Sequence, residues 1–482
     1  MPVVTGLLRR ARERADALGI AVAVSLTVAL PPLEPLHAMP WPGDLGENDA
    51  VTGDNRFYLS HPGGETVLAA WGVGQLLEAD GATRFTETAQ ALREVCANAL
   101  GEGLGGATPL PLHAVGGFSF FDRLDSPEWP GFTTARLVVP ATLIRRHGGE
   151  CAGQITLMMP PGGEVEPASR TMLERLGALH AACVQAAPAQ PEGGNGNGGR
   201  ANGQEGHGYT VQPRPDGPEQ WPGIVEQARQ RIAAGELRKV VLARAMDLEC
   251  AEAPDPRRMM ERLVARHPGC FCFMVDQGEG TIFLGASPER LARFENGVVE
   301  MDALAGTAPR GAEPAQDEAL AKRLGESHKE LDEHRTVIED IAGALEELGQ
   351  VDFPPKPTVR RFESMHHLHT PMRLTLKGEV APLLVLERLH PSAAVGGLPR
   401  DRAFEVIRSV EAFERGWYGA PVGWLDASGR GEFCVALRSG TLRGNHLRLF
   451  AGGGIMVESD PMGEYEETRI KFRPLLGALS QA

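Results

Sequence analysis

The chain has 482 residues, 42% of them hydrophobic, which is enough to bury a sizeable core and to form about two to four domains. Its formal net charge of -15 argues against a polyanion-binding surface, because affinity for nucleic acid comes mostly from basic side chains that neutralise phosphates. We therefore expect a globular protein without a nucleic-acid partner.

The N-terminal segment places arginines before an apolar run, as a secretory signal does. The run from Leu18 to Leu30 is too short for a membrane span, and Glu13 and Asp16 lie among the arginines. A helix followed by a strand explains the segment, so we expect no membrane partner. The seven cysteines are scattered and include no C-x-x-C pair, which is typical of a reduced chain and favours a cytoplasmic protein.

Composition divides the chain into three parts. In residues 1–185, short apolar runs alternate with Gly, Pro and Asp turns, which predicts a β-rich half. Residues 186–209 carry almost no large apolar side chains and read as a flexible linker or insertion. Residues 210–482 contain longer strands and helices.

The C-terminal part predicts strands at "RKVVLARAMDL", "CFCFMVD" and "TIFLGAS", each rich in β-branched and aromatic residues. Residues 419–455 read as three runs joined by turn residues, a predicted antiparallel meander. Helical patterns occupy about residues 218–235, 316–349, 400–412 and 461–478. Grouped strands with helices between them favour an α+β fold over a parallel sheet.

One carboxylate of the second of these helices lies where an apolar side chain is expected. Glu333 is in register with Val337, Ile341 and Leu345, the stripe that should face the core. A carboxylate there is costly unless something neutralises it, and a divalent cation would do so.

The last predicted helix begins at Asp460–Pro461, an aspartate cap followed by a proline at the first helical position. Glu464, Glu467 and Lys471 share one face of it. Together with Glu333, the two glutamates would supply hard oxygen ligands that suit Mg²⁺. The alternative, that all three are solvated surface acids, stays open from periodicity alone.

Eight motifs occur in the order found in the chorismate-utilising enzymes, and the chain resembles that family. They are "KVVLAR", "GASPERL", "LAGTAPRG", "DEH", "HPSAAVGG", "RGWYGAPVGW", "VALRSG" and "AGGGIMVESDPMGEYEET". The resemblance covers about residues 210–480 strongly and the N-terminal half more faintly. It implies a single large α+β fold with two layered, mainly antiparallel sheets and helices packed outside.

The resemblance also implies roles for individual residues. Glu333, Glu464 and Glu467 match the positions that hold Mg²⁺, directly or through water, against the ring carboxylate of chorismate. Lys239 matches the general base of the water-using members, where the ammonia-using anthranilate type has glutamine, and Glu289 matches the general acid. The implied substrate-binding residues are Thr307, His367, Tyr418, Arg438, Gly452, Gly454 and Lys471.

Two departures and two possible metal sites accompany the resemblance. Ser392 and Ala393 stand where Thr-Pro is commoner. His366 and His369, beside His367 in "MHHLHTP", suggest a zinc site, but the resemblance uses His367 alone. Cys270 and Cys272 share a strand face, and without a second pair we expect buried structural thiols.

The motif set thus implies a Mg²⁺-dependent isochorismate synthase that acts on chorismate and supplies menaquinone or a siderophore. The alternatives are salicylate synthase, which also eliminates pyruvate, and anthranilate synthase component I. A catalytically silent, ligand-binding relative is the non-enzyme alternative. The sequence indicates no oligomeric state.

Overall fold

The computed structural model describes residues 2–41, 55–186, 208–212, 214, 216–363 and 365–479. The predicted linker over 186–209 lies almost wholly outside these residues. The helices are α1 (Pro2–Leu18), α2 (Pro35–Ala38), α3 (Arg84–Asn98), α4 (Val165–Gln185), α5 (Trp221–Ala233), α6 (Pro256–Arg266), α7 (Pro314–Glu326), α8 (His328–Leu345), α9 (Pro382–Leu389), α10 (Arg400–Val410) and α11 (Pro461–Leu479).

The strands are β1 (Val22–Leu30), β2 (Asn55–Ser60), β3 (Thr66–Ala79), β4 (Leu100–Leu104), β5 (His113–Phe118), β6 (Ala135–His147), β7 (Glu150–Met159), β8 (Tyr209–Gln212), β9 (Lys239–Cys250), β10 (Phe271–Gln277), β11 (Ile282–Ser287), β12 (Arg290–Glu295), β13 (Val298–Pro309), β14 (Gly349–Asp352), β15 (Thr358–Arg361), β16 (Met365–Leu376), β17 (Gly397–Leu398), β18 (Pro421–Asp426), β19 (Gly431–Val435), β20 (Ser439–Arg443) and β21 (His446–Ile455).

The strands form one hydrogen-bonded network with two arms that diverge at β6. The first arm runs through β3, β2, β10, β11, β20 and β21 to β9. The second runs through β5, β18, β19, β12 and β13 to β16. Within the described residues, every pairing is antiparallel except that of β1 with β4. Each arm joins strands from the two halves of the chain.

Hydrophobic clusters show that the arms are two packed layers. Phe273 of the first arm and Val422 of the second belong to one cluster, which lies between them. Outside the second arm, Met301 packs in a cluster with residues of α8, α9 and α10. Outside the first arm, Leu449 packs with residues of α1, α6 and α11. The predicted α+β fold with two layered, mainly antiparallel sheets and outer helices is confirmed.

The predicted helix over 316–349 is wrong in one respect, because the chain forms two helices there. Ser327 ends α7 and caps α8, and its side chain accepts a hydrogen bond from the Glu330 backbone N–H at 3.4 Å. Serine is a preferred cap because its hydroxyl satisfies an otherwise unpaired helix amide. The other three predicted helices correspond to α5, α10 and α11.

The predicted three-strand meander over 419–455 is also wrong in its middle run. That run splits into β19, which pairs with β12, and β20, which pairs with β11. The chain crosses between the arms at Arg438, whose φ of 50° is in the left-handed region. Residues with a Cβ adopt this region rarely, and such positions cluster at functional sites.

The N-terminal segment forms a helix followed by a strand, α1 and β1, as predicted. In the part of the chain that the structure describes, no helix is both long and apolar enough to cross a bilayer.

Candidate active site

All twelve site residues predicted from the sequence line one pocket, which is built from β9, β13, β16, β21, α8, α11 and the segments before β12, β18 and β20. The fold therefore brings together residues as distant in the chain as Lys239 and Lys471. The twelve are Lys239, Glu289, Thr307, Glu333, His367, Tyr418, Arg438, Gly452, Gly454, Glu464, Glu467 and Lys471.

Lys239 is a buried cation at the start of β9. Its side chain is 1% exposed, and Nζ lies 2.8 Å from Glu333 Oε1. Burial raises the pKa of the Glu333 carboxyl, but the charges of Lys239, Lys329 and Lys471 outweigh it, so this pKa lies below its ordinary value. Because each charge would be costly to bury alone, the two side chains stabilise each other.

Glu333 reaches the pocket because it continues the apolar stripe of α8. Val337, Ile341 and Leu345 on that stripe are buried, as the register predicts. The helix packs on β13 and β16. This packing directs Glu333, at the N-terminal end of the stripe, into the pocket, while the apolar members of the stripe face the core.

The acids of α11 enter the pocket from another direction. Asp460 caps this helix by accepting the Gly463 backbone N–H at 2.7 Å, which confirms the predicted start. Burial, and then the charge of Glu467, raises the pKa of Glu464 to about 7. Glu466 lies on the exposed face of this helix.

Lys471 holds the second acid of this helix. Its Nζ lies 2.6 Å from Glu467 Oε1 and donates to the Gly452 carbonyl oxygen at 2.6 Å. The ammonium therefore ties α11 to β21, the strand that forms the floor of the pocket.

The glycines of β21 allow carboxylates of two helices to approach the strand. A Cβ on Gly454 would lie 2.6 Å from Glu333 Oε1 and 2.9 Å from Lys239 Cε. A Cβ on Gly453 would lie 2.9 Å from Glu464 Oε2. Real Cβ contacts are not this short, so the absent side chains make the close approach possible.

Glu289 is a buried carboxyl between β11 and β12, 5% exposed. Its backbone N–H donates to Ser287 Oγ at 3.2 Å, and its carbonyl accepts from the Val435 N–H at 3.1 Å. Burial, assisted by Asp302 and opposed by Lys239, raises the pKa of Glu289 to about 8. The carboxyl is therefore mostly protonated at neutral pH.

His367 joins Arg438 to the β13 backbone. Its Nδ1 lies 3.3 Å from the Gly306 carbonyl oxygen and 3.1 Å from Thr307 Oγ1. Because a carbonyl can only accept, we assign the proton to Nδ1, and Nε2 then accepts from Arg438 Nη2 at 3.3 Å. Burial, and then Arg438, holds the pKa of His367 well below its ordinary value, so the ring is neutral.

The other two histidines of "MHHLHTP" have partners outside the pocket. His366 Nε2 lies 2.9 Å from Asp317 Oδ1, and His369 Nε2 lies 2.9 Å from Asp302 Oδ1. The three rings thus contact three different groups, which does not resemble a shared zinc site.

Tyr418 stacks on Phe450, with ring centroids 5.2 Å apart. Burial raises its pKa to about 12, so the hydroxyl keeps its proton and can donate a hydrogen bond into the pocket.

The pocket acids suit Mg²⁺ in type, although the structure does not gather them into a ready coordination shell. Within the described ranges, no group of three or more His, Cys, Asp or Glu side chains is arranged to hold a metal ion. Glu333 and Glu467 are instead paired with lysines. Glu464 shares a pocket with these acids. Burial is the main cause of its raised pKa and repulsion by Glu467 adds to it, and a hard divalent cation would relieve that repulsion.

Three charged residues of the pocket were not predicted from the sequence. Glu330 accepts the Thr307 backbone N–H at 2.9 Å, and Lys329 Nζ lies 3.7 Å from Glu330 Oε1. The i, i+3 spacing of Glu330 from Glu333 was a usable signal for it. Arg415 also lines the pocket, but no spacing distinguishes it from the other arginines.

Comparisons with known proteins show the family of the chain. A profile of the family described as chorismate binding enzyme matches residues 10–480. A Pseudomonas aeruginosa protein named salicylate biosynthesis isochorismate synthase is 34% identical over 482 residues, covering 98% of this chain and 94% of the relative. Isochorismate synthase MenF of Bacillus subtilis is 38% identical over 260 residues, covering 54% of this chain and 55% of the relative.

Solved structures give the same result. The menaquinone-specific isochorismate synthase MenF of Escherichia coli matches with a TM-score of 0.71 at 26% identity, over 99% of this chain and 100% of that one. Anthranilate synthase component I of Streptococcus pneumoniae matches with a TM-score of 0.61 over 90% of this chain and 93% of that one. At 21% identity, the second match shows the fold alone.

Proposed function

Since this chain belongs to the chorismate-binding enzyme family, we propose that it is a cytoplasmic enzyme that converts chorismate to isochorismate. The observation that carries the proposal is that one pocket holds both a buried lysine, Lys239, and a buried glutamate whose pKa is raised, Glu289. The name of the full-length Pseudomonas aeruginosa relative supports the same reaction.

Lys239 is proposed as the general base. A water oxygen bonds to ring carbon 2 while its proton passes to Lys239 Nζ, which must first be uncharged. β9 holds the lysine in place, because β21 and β17 pair with its two edges. A base on a strand fixed on both sides keeps a constant position relative to the water.

Glu289 is proposed as the general acid. As the ring double bonds shift, the bond between carbon 4 and its hydroxyl breaks, and Glu289 gives the departing oxygen a proton. One water enters and one leaves, so substrate and product are isomers. The raised pKa of Glu289 supports this role, because an acid must carry its proton at the working pH.

Arg438 and Tyr418 are proposed to bind the enolpyruvyl carboxylate. A guanidinium can donate to both oxygens of a carboxylate, and the tyrosine hydroxyl adds a third donor. Neutral His367 orients Arg438 without adding a competing charge. Thr307, Gly452, Gly454 and Lys471 complete the proposed substrate contacts.

Mg²⁺ is the proposed cofactor, with Glu333, Glu464 and Glu467 as the residues that would hold it. When bound, the ion supplies positive charge that offsets these acids and attracts the ring carboxylate.

A product assay tests the proposal. The protein is incubated with chorismate and Mg²⁺, and the products are separated by chromatography, with EDTA-treated protein as the control. Isochorismate that disappears on EDTA treatment and returns with added Mg²⁺ is the expected result. Lys239→Gln, which removes the base but keeps a polar side chain, should form none.

The same assay distinguishes the alternatives. Salicylate and pyruvate formed without an added lyase would identify a salicylate synthase. Anthranilate that depends on ammonia would identify an anthranilate synthase. Calorimetric binding of chorismate without turnover would identify a silent relative. We propose menaquinone or siderophore supply as the pathway, on the names of the relatives alone.

A further inference from the structure

One wall of the pocket has no regular secondary structure of its own. It is the segment of residues 391–396, here called the wall segment, and its Ala394 and Val395 line the pocket. We propose that Asp340 and Arg415 are positioning residues that fix the wall segment relative to the strand of Lys239. The inference rests on the proposed function. It predicts that the two residues affect the rate of the chemical step rather than the affinity for substrate.

Arg415 joins the wall segment directly to β9. Its Nη1 donates to the Val395 carbonyl oxygen at 2.8 Å, and Nη2 donates to the Val241 carbonyl oxygen at 2.7 Å. The side chain is 1% exposed, so these bonds do not compete with solvent. The guanidinium therefore adds a side-chain link to the backbone hydrogen bond that the Val241 N–H of β9 donates to the Gly396 carbonyl oxygen of the wall at 2.9 Å.

Glu411 fixes the arginine in turn. Its carboxylate accepts hydrogen bonds from Arg415 Nη2 at 2.5 Å and from Arg415 Nε at 2.9 Å. It also accepts a hydrogen bond from the Ala243 backbone N–H of β9 at 2.7 Å. A two-point ion pair of this kind gives geometric specificity as well as energy. The pair is thus anchored on the same strand that it connects to the wall.

Asp340 holds the other side of the wall segment. Its Oδ2 accepts the Ala393 backbone N–H at 2.7 Å. Asp340 lies seven residues after Glu333 on α8, hence two turns along the same face. α8 therefore supports both a pocket acid and the wall segment.

This arrangement restricts where a water molecule can stand. The wall segment carries no charged side chain into the pocket, whereas Arg438 and Tyr418, the proposed carboxylate contacts, lie on other segments. A loosened wall would leave those contacts in place but widen the space beside Lys239. Small displacements of reacting groups cost large factors in rate, so the loss should fall on kcat.

Three variants on α8 test the inference. Asp340→Ala removes the acceptor, Asp340→Asn keeps an oxygen acceptor, and Glu339→Ala removes a neighbouring exposed carboxylate as the control. For each, hydrogen exchange of the wall segment is measured by mass spectrometry without ligands, and kcat and KM are measured with chorismate and Mg²⁺.

We expect Asp340→Ala to speed exchange in the wall segment and to lower kcat by about 10- to 100-fold while KM changes by less than about threefold. Asp340→Asn should keep most of the activity, and Glu339→Ala should match the wild type. Arg415→Lys should lower kcat in the same way. If the Arg415→Lys protein does not fold, the Asp340 variants alone test the inference.

An unchanged kcat in Asp340→Ala, a loss confined to KM, or an asparagine variant as impaired as the alanine variant would overturn the inference. A wild-type protein that forms no isochorismate would overturn the proposed function instead. Hydrogen exchange would then still decide whether Asp340 holds the wall segment.

Discussion

The protonated state of Glu289 has a consequence for stability that needs no substrate to measure. The pKa of this carboxyl is about 8 in the folded protein and 4.5 as its ordinary value. Folding therefore favours the protonated form. Below pH 4.5 the carboxyl is protonated in both the folded and the unfolded state and does not change the free energy of unfolding. Above that pH the unfolded chain loses this proton first, which stabilises the unfolded state relative to the folded one.

The magnitude follows from the shift. Between pH 4.5 and 8 the free energy of unfolding should fall by about 1.4 kcal/mol per pH unit through Glu289 alone, and above pH 8 the contribution is constant. Between pH 6 and pH 9, the free energy of unfolding therefore changes through Glu289 only over the two pH units from 6 to 8. The loss over that interval is therefore about 3 kcal/mol.

Glu289→Gln removes this titration while keeping the shape of the side chain. Urea unfolding of both proteins at pH 6 and pH 9, without Mg²⁺ or chorismate, should show the variant losing about 3 kcal/mol less than the wild type. Glu464, whose pKa is also raised, titrates in both proteins and cancels in the comparison. Exposed Glu466→Gln is the control, and an equal pH dependence in wild type and Glu289→Gln would refute the assignment of a protonated buried acid.

Further predictions concern other parts of the pocket. Lys239→Ala should abolish isochorismate formation yet retain Mg²⁺ binding in calorimetry, and it should lower the free energy of unfolding by about 3–5 kcal/mol because Glu333 is left buried without its partner. Gly454→Ala should reduce kcat by about tenfold or more, since its Cβ would lie 2.6 Å from Glu333 Oε1 and displace the reacting groups. Gly343→Ala in α8, which meets nothing within 4 Å, should leave activity intact. Arg438→Lys should raise KM for chorismate by about 10- to 100-fold in steady-state assays, because the paired donors are lost, and an unchanged KM would contradict its role in carboxylate binding.

Local features of the sequence were sufficient for much of the fold. β-branched runs predicted β9, β10 and β11, and the Asp460–Pro461 pair predicted the start of α11, because these signals act within a few residues. The register of Glu333 with Val337 and Ile341 identified the carboxylate that enters the pocket. Such patterns report which face of an element is buried, and the structure confirms them.

Long-range features were not available from the sequence in the same way. The crossing at Arg438 requires a left-handed residue, and no pattern around it distinguishes a crossing from a continuous strand. The position of Ser327 between two helices was readable as a cap, but apolar periodicity on both sides concealed the break. Arg415 and Asp340 act through hydrogen bonds to backbone atoms that are distant in the chain. Such bonds produce no periodic pattern in the sequence from which they could be predicted.

The pairing of β9 with β21 places Val241 opposite Gly454 and Ala243 opposite Gly452. Side chains alternate between the two surfaces of a sheet, so a one-residue insertion in β9 after Lys239 would present core side chains to the pocket and change which β9 residue lies opposite each glycine. Length changes in this part of the chain can thus be accommodated only in the connections, for example at the turn between β20 and β21. For anyone who diversifies the protein, the residue count within these two strands is a fixed parameter, even where the identities of individual side chains are not.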